Sequence, residues 1–474
     1  MKRILALWLS PAVYLSGNWI SLIGVVIVTT ASILWLCLLP VMVRGEVTHP
    51  YAGLLIYFVL PGIFIGGLLL IPLGMYWKQR HQIGAGMYPS NFPPLNFQNT
   101  ELRKLIGFVG VTTVINVVIA SQLAYGAVNY MDSVTFCGTT CHTVMKPEFT
   151  AHQASPHSRV ECVKCHIGPG AGWFVRSKLS GLHQLYAVAF RTYPTPIATP
   201  VHDLRPARDT CETCHWPQKY GGDRIRDIAT YADDEKNSLK HTVLLLHIGG
   251  GVSGPGIHSR HLGEGVRVRY APSDERRQVL PWVEYTAAGQ TTVFAADGAT
   301  PKPSAIRQMD CIDCHNRPTH IFQLPERAVD SALLAGEISA TLPFAKKESV
   351  QILKRPYTTE ESAASGIPAE FESFYKGTYP EVYMARKGEI EHAGQALLAI
   401  FQRNVFPKMK VTWGTYPNNI GHTDFDGCFR CHDELHKSSD GKTITQDCAA
   451  CHNVLAMEEA KPKILTDLGV GPEK

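Results

Sequence analysis

Two cysteines running into a histidine recur six times along the chain: Cys137/Cys141/His142, Cys162/Cys165/His166, Cys211/Cys214/His215, Cys311/Cys314/His315, Cys428/Cys431/His432 and Cys448/Cys451/His452. Twelve of the 13 cysteines lie in these units. Tetrahedral zinc and redox dithiols also use paired cysteines, but neither calls for a histidine directly after the second one every time. Covalent haem does: two thioethers fix the porphyrin edge, and the adjacent imidazole takes one axial position on the iron. Six haem c groups are therefore expected, in a domain with little regular secondary structure because the haems themselves form its core. The first unit, CGTTCH, departs from the rest, with three residues between its cysteines where the other five units have two.

Ahead of the first unit the composition changes sharply. No charged side chain lies between Arg3 and Arg44, and apolar stretches run over 19–43, 53–76 and 105–128. Each exceeds the ~20 residues that cross a bilayer. The first is too long for the core of a signal peptide and is followed by two more, so residues 1–130 read as a retained anchor of three transmembrane helices. Lys2 and Arg3 precede the first span, and Lys78, Arg80, Arg103 and Lys104 fill the loop between the second and third, whereas Arg44 is balanced by Glu46. The positive-inside rule then places the N-terminus in the cytoplasm and everything after Val128 outside a bacterial inner membrane, in the periplasm. That compartment also suits a cysteine-rich segment. Asn116 in the third span reads as helix-to-helix glue and Cys37, the unpaired cysteine, as packing. The net charge of +4 is no sign of a nucleic-acid partner, since haem propionates are not counted in it, and none is expected.

The exported part falls into two stretches. Residues 131–325 hold four haem units, interrupted over about 221–300 by an insertion that reads as β: HTVLLLHIG, VRVRY, VLPWVEY and TTVFAADG, separated by Gly, Pro and Asp. The glycines of GGGVSGPG make a flexible loop there, with His247, His258 and His261 around it. Residues 326–474 read as a helical extension with two further haems. ERAVDSALLAGEISATL and GEIEHAGQALLAIFQRNVF have apolar residues at i, i+3 and i+4, and Pro343, Pro356, Pro368 and Pro380 break the interval between them. The last residues read as a mobile tail.

Each iron needs a second axial ligand unless it binds substrate. His157, His202, His320, His422 and His436 are the favoured candidates by position, with His152, His241, His247, His258, His261 and His392 behind them. Which histidine serves which iron is not fixed by spacing.

The runs FCGTTCHTVM, SPHSRVECVKCHIG, LRPARDTCETCHWP and CIDCHNRPTHIFQLP resemble the four-haem core of the NapC/NirT family of membrane-anchored quinol dehydrogenases, from Tyr125 to about Pro325. The two extra spans and two extra haems are similar to the larger inner-membrane multihaem cytochromes of metal-reducing bacteria. The resemblance implies that a quinol, menaquinol above all, is oxidised near the first haem and that electrons pass to a periplasmic c-type cytochrome or reductase, with or without membrane partner subunits. The family often has a methionine two residues after the first haem histidine. Here CHTVM puts Met145 one residue later, so either His142 or Met145 is the proximal ligand of that haem. Lys178, twelve residues after His166, matches the lysine that the family places at its quinone pocket. The acidic residue six or seven positions further on is replaced by Gln184 and Leu185, which leaves His183 as the nearest protonatable neighbour. Imidazole, with an ordinary pKa of about 6.5, suits a proton acceptor. Two other functions compete: a terminal reductase with one open haem, and a haem-wire subunit with no quinone site.

Overall fold

A computed structural model describes residues 10–12, 14–43, 58–90, 92, 100–140, 142–168, 170–201, 205–216, 221–250 and 256–469. The chain forms two compact units, Met1–Thr140 and Cys141–Lys474.

The first unit is built from three long helices, α1 (Trp19–Val43), α2 (Leu60–Gly84) and α3 (Thr100–Asp132). Small residues let α1 and α2 approach backbone to backbone. A Cβ at Gly24 would lie 2.8 Å from the Gly67 carbonyl oxygen, and one at Gly74 would lie 2.6 Å from the Ser21 hydroxyl. Ser21 donates to the Ile71 carbonyl at 2.9 Å. Between α1 and α3 the Ser32 hydroxyl donates to Asn116 Oδ1 at 2.6 Å, so Asn116 does join helices. Outward-facing positions such as Leu22, Val26, Leu69 and Val114 are apolar and exposed, as in helices that face lipid. By length and composition α2 and the Val114–Asp132 part of α3 are able to cross a membrane. A third span arises if Ser10–Ser16 and Trp19–Ser32, which meet at a 91° bend, are taken together. The second span was expected over 53–76, but residues 44–57 lie outside the described set, and the helix continues to Gly84 through Lys78, Arg80 and His81. Charge does not end a helix. The Lys78 ammonium instead reaches back to the Tyr14 and Gly17 carbonyls, at 2.6 and 3.1 Å.

The second unit begins with α4 (His142–Gln153), α5 (Cys162–His166), α6 (Ala171–Phe190) and α7 (Ala207–Cys211). The expected β insertion follows as β1 (Asp223–Tyr231), β2 (Leu239–His247), a short helix α8 (Ile257–Leu262), β3 (Arg267–Ala271), β4 (Trp282–Ala287), β5 (Gln290–Ala295) and the two-residue β6 (Arg307–Gln308). Helix α9 (Cys311–Cys314) leads to four packed helices, α10 (Pro325–Leu334), α11 (Ala345–Leu353), α12 (Glu360–Thr378) and α13 (Pro380–Asn404); β7 (His452–Glu459) and α14 (Lys463–Asp467) close the chain. Two antiparallel sheets result, ordered β1-β2-β7 and β5-β4-β3-β6.

The chain just ahead of the last residues, which were expected as a mobile tail, is thus a strand, and it is followed by the short helix α14. The reason is pairing: β2 leaves one edge open beside β1, and His452 to Glu459 fill it, with Leu246 opposite His452 and Val243 opposite Ala456. The expected division near residue 325 falls inside this second unit, because Lys437 also bridges to Ala295 at the end of β5.

The main apolar core lies among α10–α13, where Ile338, Leu342, Leu353, Ile367, Phe371 and Leu397 are fully buried. Pro368 was expected to break a helix but sits inside α12. Gly394 of α13 packs closely against it: a Cβ there would lie 3.1 Å from the Pro368 Cα. The β1–β2 hairpin plugs into this bundle through Asn237, held left-handed at φ 47°. Its side chain donates to the Ala340 and Leu342 carbonyls at 2.9 and 2.7 Å and accepts from the Lys346 amide at 2.8 Å. Beside it the buried Lys346 ammonium meets Asp330 at 2.6 Å, and Asp330 also accepts from the Tyr231 amide at 2.9 Å.

Candidate haem centres

Short helical turns present the cysteine pairs. The second, third and fourth units lie on or at the ends of α5, α7 and α9, and the fifth and sixth on 3-10 turns at Gly427–Arg430 and Cys448–Ala450. A separation of three residues on such a turn puts both thiols on one face. Caps fix the turns locally: Asp310 accepts from the Cys311 amide at 2.7 Å while Asp313 accepts from the Asp310 amide at 2.7 Å, and Asp447 accepts from the Ala449 amide at 3.1 Å. The first unit differs. Phe136–Thr140 forms a π turn, the wide helical turn that accommodates an additional residue. Cys141 and the His142 side chain lie outside the described set, and the division between the two compact units falls between Thr140 and Cys141.

Burial pushes the Cys314 thiol up to about 11 and the Cys431 thiol up to about 12. Thiols held neutral in this way are poor redox nucleophiles.

Each of the five remaining unit histidines faces a second histidine from elsewhere in the chain. The pairs, by ring-centre distance, are His166 and His320 at 6.3 Å, His215 and His157 at 5.9 Å, His315 and His258 at 6.3 Å, His432 and His261 at 5.9 Å, and His452 and His422 at 6.1 Å. A metal bound between two imidazoles at about 2.0–2.1 Å, with each ring centre roughly 1.2 Å behind its nitrogen, puts the centres roughly 6.4 Å apart. The five pairs fit that spacing.

Hydrogen bonds orient the rings. Nδ1 of His320, His157, His261 and His432 lies 2.7–3.3 Å from the backbone carbonyls of Glu148, Pro318, Ile257 and Thr445. With Nδ1–H donated to a carbonyl, Nε2 keeps its lone pair for a metal. Burial holds His166, His258, His261, His315, His320 and His452 below the ordinary imidazole range, which keeps them in the neutral, ligating form. The buried Nδ1 atoms of His258 and His452 have no partner among the described residues. His320 is further fixed by Glu148, whose carboxylate also takes Arg317 at 3.0 Å, and the Arg317 guanidinium covers the Phe322 and Tyr416 rings.

Of the five favoured distal candidates, the structure pairs His157, His320 and His422 with unit histidines. His202 lies outside the described residues. His436 is buried with both ring nitrogens bonded to protein, Nδ1 to Asp433 at 2.8 Å and Nε2 to the Leu280 carbonyl at 2.6 Å. Two histidines ranked lower, His258 and His261, take up the remaining pairings. Their signal in the sequence was slight: HSRH at the end of a glycine run. His152 is also close to His320, at 6.4 Å, but its Nε2 is bonded to the Val160 carbonyl at 2.9 Å. His241 and His247 are paired with Asp227 and Asp223.

The cysteine pairs adjoin one another in chain order. Cys165 lies within electrostatic reach of Cys211 and Cys214, Cys211 and Cys311 are joined by a thiol hydrogen bond, Cys314 neighbours Cys428 and Cys431, and Cys428 neighbours Cys451. The arrangement is a file of paired-cysteine turns from the second unit to the sixth.

Lys178 and His183 both lie on α6, five residues apart and so roughly 140° apart around the helix. The Lys178 side chain is outside the described set. His183 is exposed, on the same stripe as the exposed Leu179, Tyr186 and Phe190.

Apolar helices joined to paired cysteines and opposed imidazoles define a membrane-anchored multihaem c-type cytochrome, an electron-transport protein. Residues 99–209 match the family model described as the N-terminal region of the NapC/NirT cytochrome c family. The chain belongs to that family. It is 42% identical over 452 residues, 93% of this chain and 88% of the relative, to the cytochrome c-type protein ImcH of Geobacter sulfurreducens. No solved structure matches it.

Proposed function

We propose that this cytochrome carries six haem c groups, oxidises menaquinol at a bacterial inner membrane and delivers the electrons to a periplasmic c-type cytochrome or reductase. The reading has three spans, the N-terminus in the cytoplasm and the haem units in the periplasm, in keeping with the basic residues around the apolar stretches. Haem c supplies one-electron redox chemistry at each site.

The five histidine pairs carry the proposal. Each would close both axial positions of one iron, with His166, His215, His315, His432 and His452 proximal and His320, His157, His258, His261 and His422 distal. Closed irons move electrons and do not bind small substrates, which favours a relay over a terminal reductase. His142 or Met145 serves the first haem. His202 and His436 are left out of the ligand set.

On α6, His183 accepts the quinol proton from within an apolar exposed stripe suited to a lipid-borne substrate, and Lys178, one turn earlier on the same helix, bonds the quinol oxygen. The deciding assay is menaquinol oxidation by the purified protein in detergent. Reduction of the haems by menaquinol alone supports the proposal, and reduction only through another membrane protein would make the chain a wire.

Two measurements check the ligand set. Intact mass should show six haems, and magnetic circular dichroism should show at least five low-spin irons; two or more high-spin irons would favour the reductase. His436→Ala should leave that spectrum unchanged while lowering stability by about 1–3 kcal/mol, the cost of a buried carbonyl left without its donor. A new high-spin signal in His436→Ala would restore it as a ligand.

A further inference from the structure

The insertion over 221–300 has no cysteine and no haem unit, yet it contains His258 and His261 on one six-residue helix, α8. His258 faces His315 of the fourth unit and His261 faces His432 of the fifth. The fourth unit closes the stretch that resembles the family core, and the fifth opens the C-terminal extension. Building on the ligation proposed above, we infer that the insertion serves as a splice: α8 is a single rigid ligand arm that completes both irons and sets the two haems in register where core meets extension.

The local structure is built to hold this arm. At its start, Gly249 and Gly256 touch backbone to backbone. A Cβ on Gly249 would lie 2.6 Å from the Gly256 Cα, and one on Gly256 would lie 2.7 Å from the His247 carbonyl oxygen. Gly249 also adopts φ +62°, a conformation that side chains disfavour. The His258 amide donates to the Ile248 carbonyl at 2.7 Å, which ties the first turn of α8 to the end of β2. Ser259 closes the turn, accepting from the Gly256 amide at 2.8 Å and donating to its carbonyl at 3.1 Å. At the other end, Arg208 of α7, next to the third unit, donates to the Leu262 carbonyl at 2.8 Å. With both ends tied and only two residues between the histidines, neither ring moves without the other.

A shared arm differs from two independent ligands in what a change away from the histidines does. Gly256→Ala touches neither imidazole but drives a methyl group into the β2 end, so the whole helix must shift. His258→Ala and His261→Ala remove one ligand each.

The test uses the full-length holoprotein in detergent, with haem count from intact mass, spin state from EPR and magnetic circular dichroism, and potentials from redox titration. His258→Ala and His261→Ala should each keep six haems and add one high-spin iron to the wild-type spectrum. Gly256→Ala should perturb two irons together, shifting the potentials or spin states of both. His258→Met and His261→Met, which keep a ligating side chain, guard against loss of folding and should each raise one haem potential and introduce a thioether-to-iron absorption band. Wild-type spectra in the alanine or methionine variants would overturn the ligand arm. Independent behaviour, with Gly256→Ala altering one iron or none, would overturn the splice while leaving ligation intact. A wild-type protein with high-spin fourth and fifth haems would overturn the ligation reading itself, and the arm with it.

Discussion

His183→Ala should keep all six haems and normal reduction by dithionite, yet slow reduction by menaquinol by about 10²–10⁴-fold, the contribution of a positioned proton acceptor. Lys178→Ala should slow it by about 10–150-fold, the weight of a charged hydrogen bond of about 1.5–3 kcal/mol. The two effects differ because the two groups do different chemistry. His183 lies among Leu179, Tyr186 and Phe190, an apolar stripe exposed to its surroundings, whereas lysine offers hydrogen bonds but at neutral pH has no lone pair with which to take a proton. Stopped-flow reduction by menaquinol in detergent, monitored at the haem absorption, reads both. Wild-type rates in both variants would remove α6 from the quinol site.

The second large effect concerns stability. Asp330→Ala should lower the unfolding free energy of the second unit by about 3–5 kcal/mol, because it strands the Lys346 ammonium in a buried position. The pair is nearly inaccessible, its side chains 5% and 8% exposed. The same substitution also deprives the Tyr231 amide of its acceptor, so the hairpin loosens with the bundle. Replacing both members, Asp330→Leu with Lys346→Met, should restore much of the loss, since two apolar side chains need no counter-charge. Denaturant titration of both variants beside the wild type reads the difference. A double variant as unstable as Asp330→Ala would show that the Tyr231 contact, and not the charge, carries the cost.

The haem units were legible in the sequence because their chemistry is local: two attachment thiols and one ligating imidazole within a few residues, on one short turn. The helices of the bundle were legible for a similar reason, since periodicity is a near-neighbour property. Distal pairing is not local. His258 and His261 meet histidines that lie far along the chain, and nothing in HSRH states what it will face. His436 shows the opposite failure. It stands close to the fifth unit, as a ligand would, but Asp433 three residues earlier and the Leu280 carbonyl engage both of its nitrogens. The aspartate was a readable hint, whereas the carbonyl, from across the fold, was not. Likewise β7 has ordinary strand residues whose pairing partner β2 lies some two hundred residues upstream, so only the open sheet edge explains why it is ordered. Pro368 misled for a third reason. Tertiary packing overrides local propensity there, with α13 held close against α12 through Gly394.

The direction of the histidine pairings bears on how the molecule matures. If the part after the apolar stretches is exported as proposed, it emerges in chain order and presents the attachment turns one after another. For the third, fourth, fifth and sixth units the opposing histidine, His157, His258, His261 or His422, has already emerged when the turn appears, because each lies upstream of the unit it faces. Of the five paired units, the second alone must wait, for His320 downstream. Four of the newly attached irons would thus find their second imidazole at once and would not sit half-ligated, exposed to stray thiols or oxygen. Completion of β1-β2-β7 comes last, when residues 452–459 arrive and seal the sheet, so the final strand reports that every attachment turn before it has been delivered.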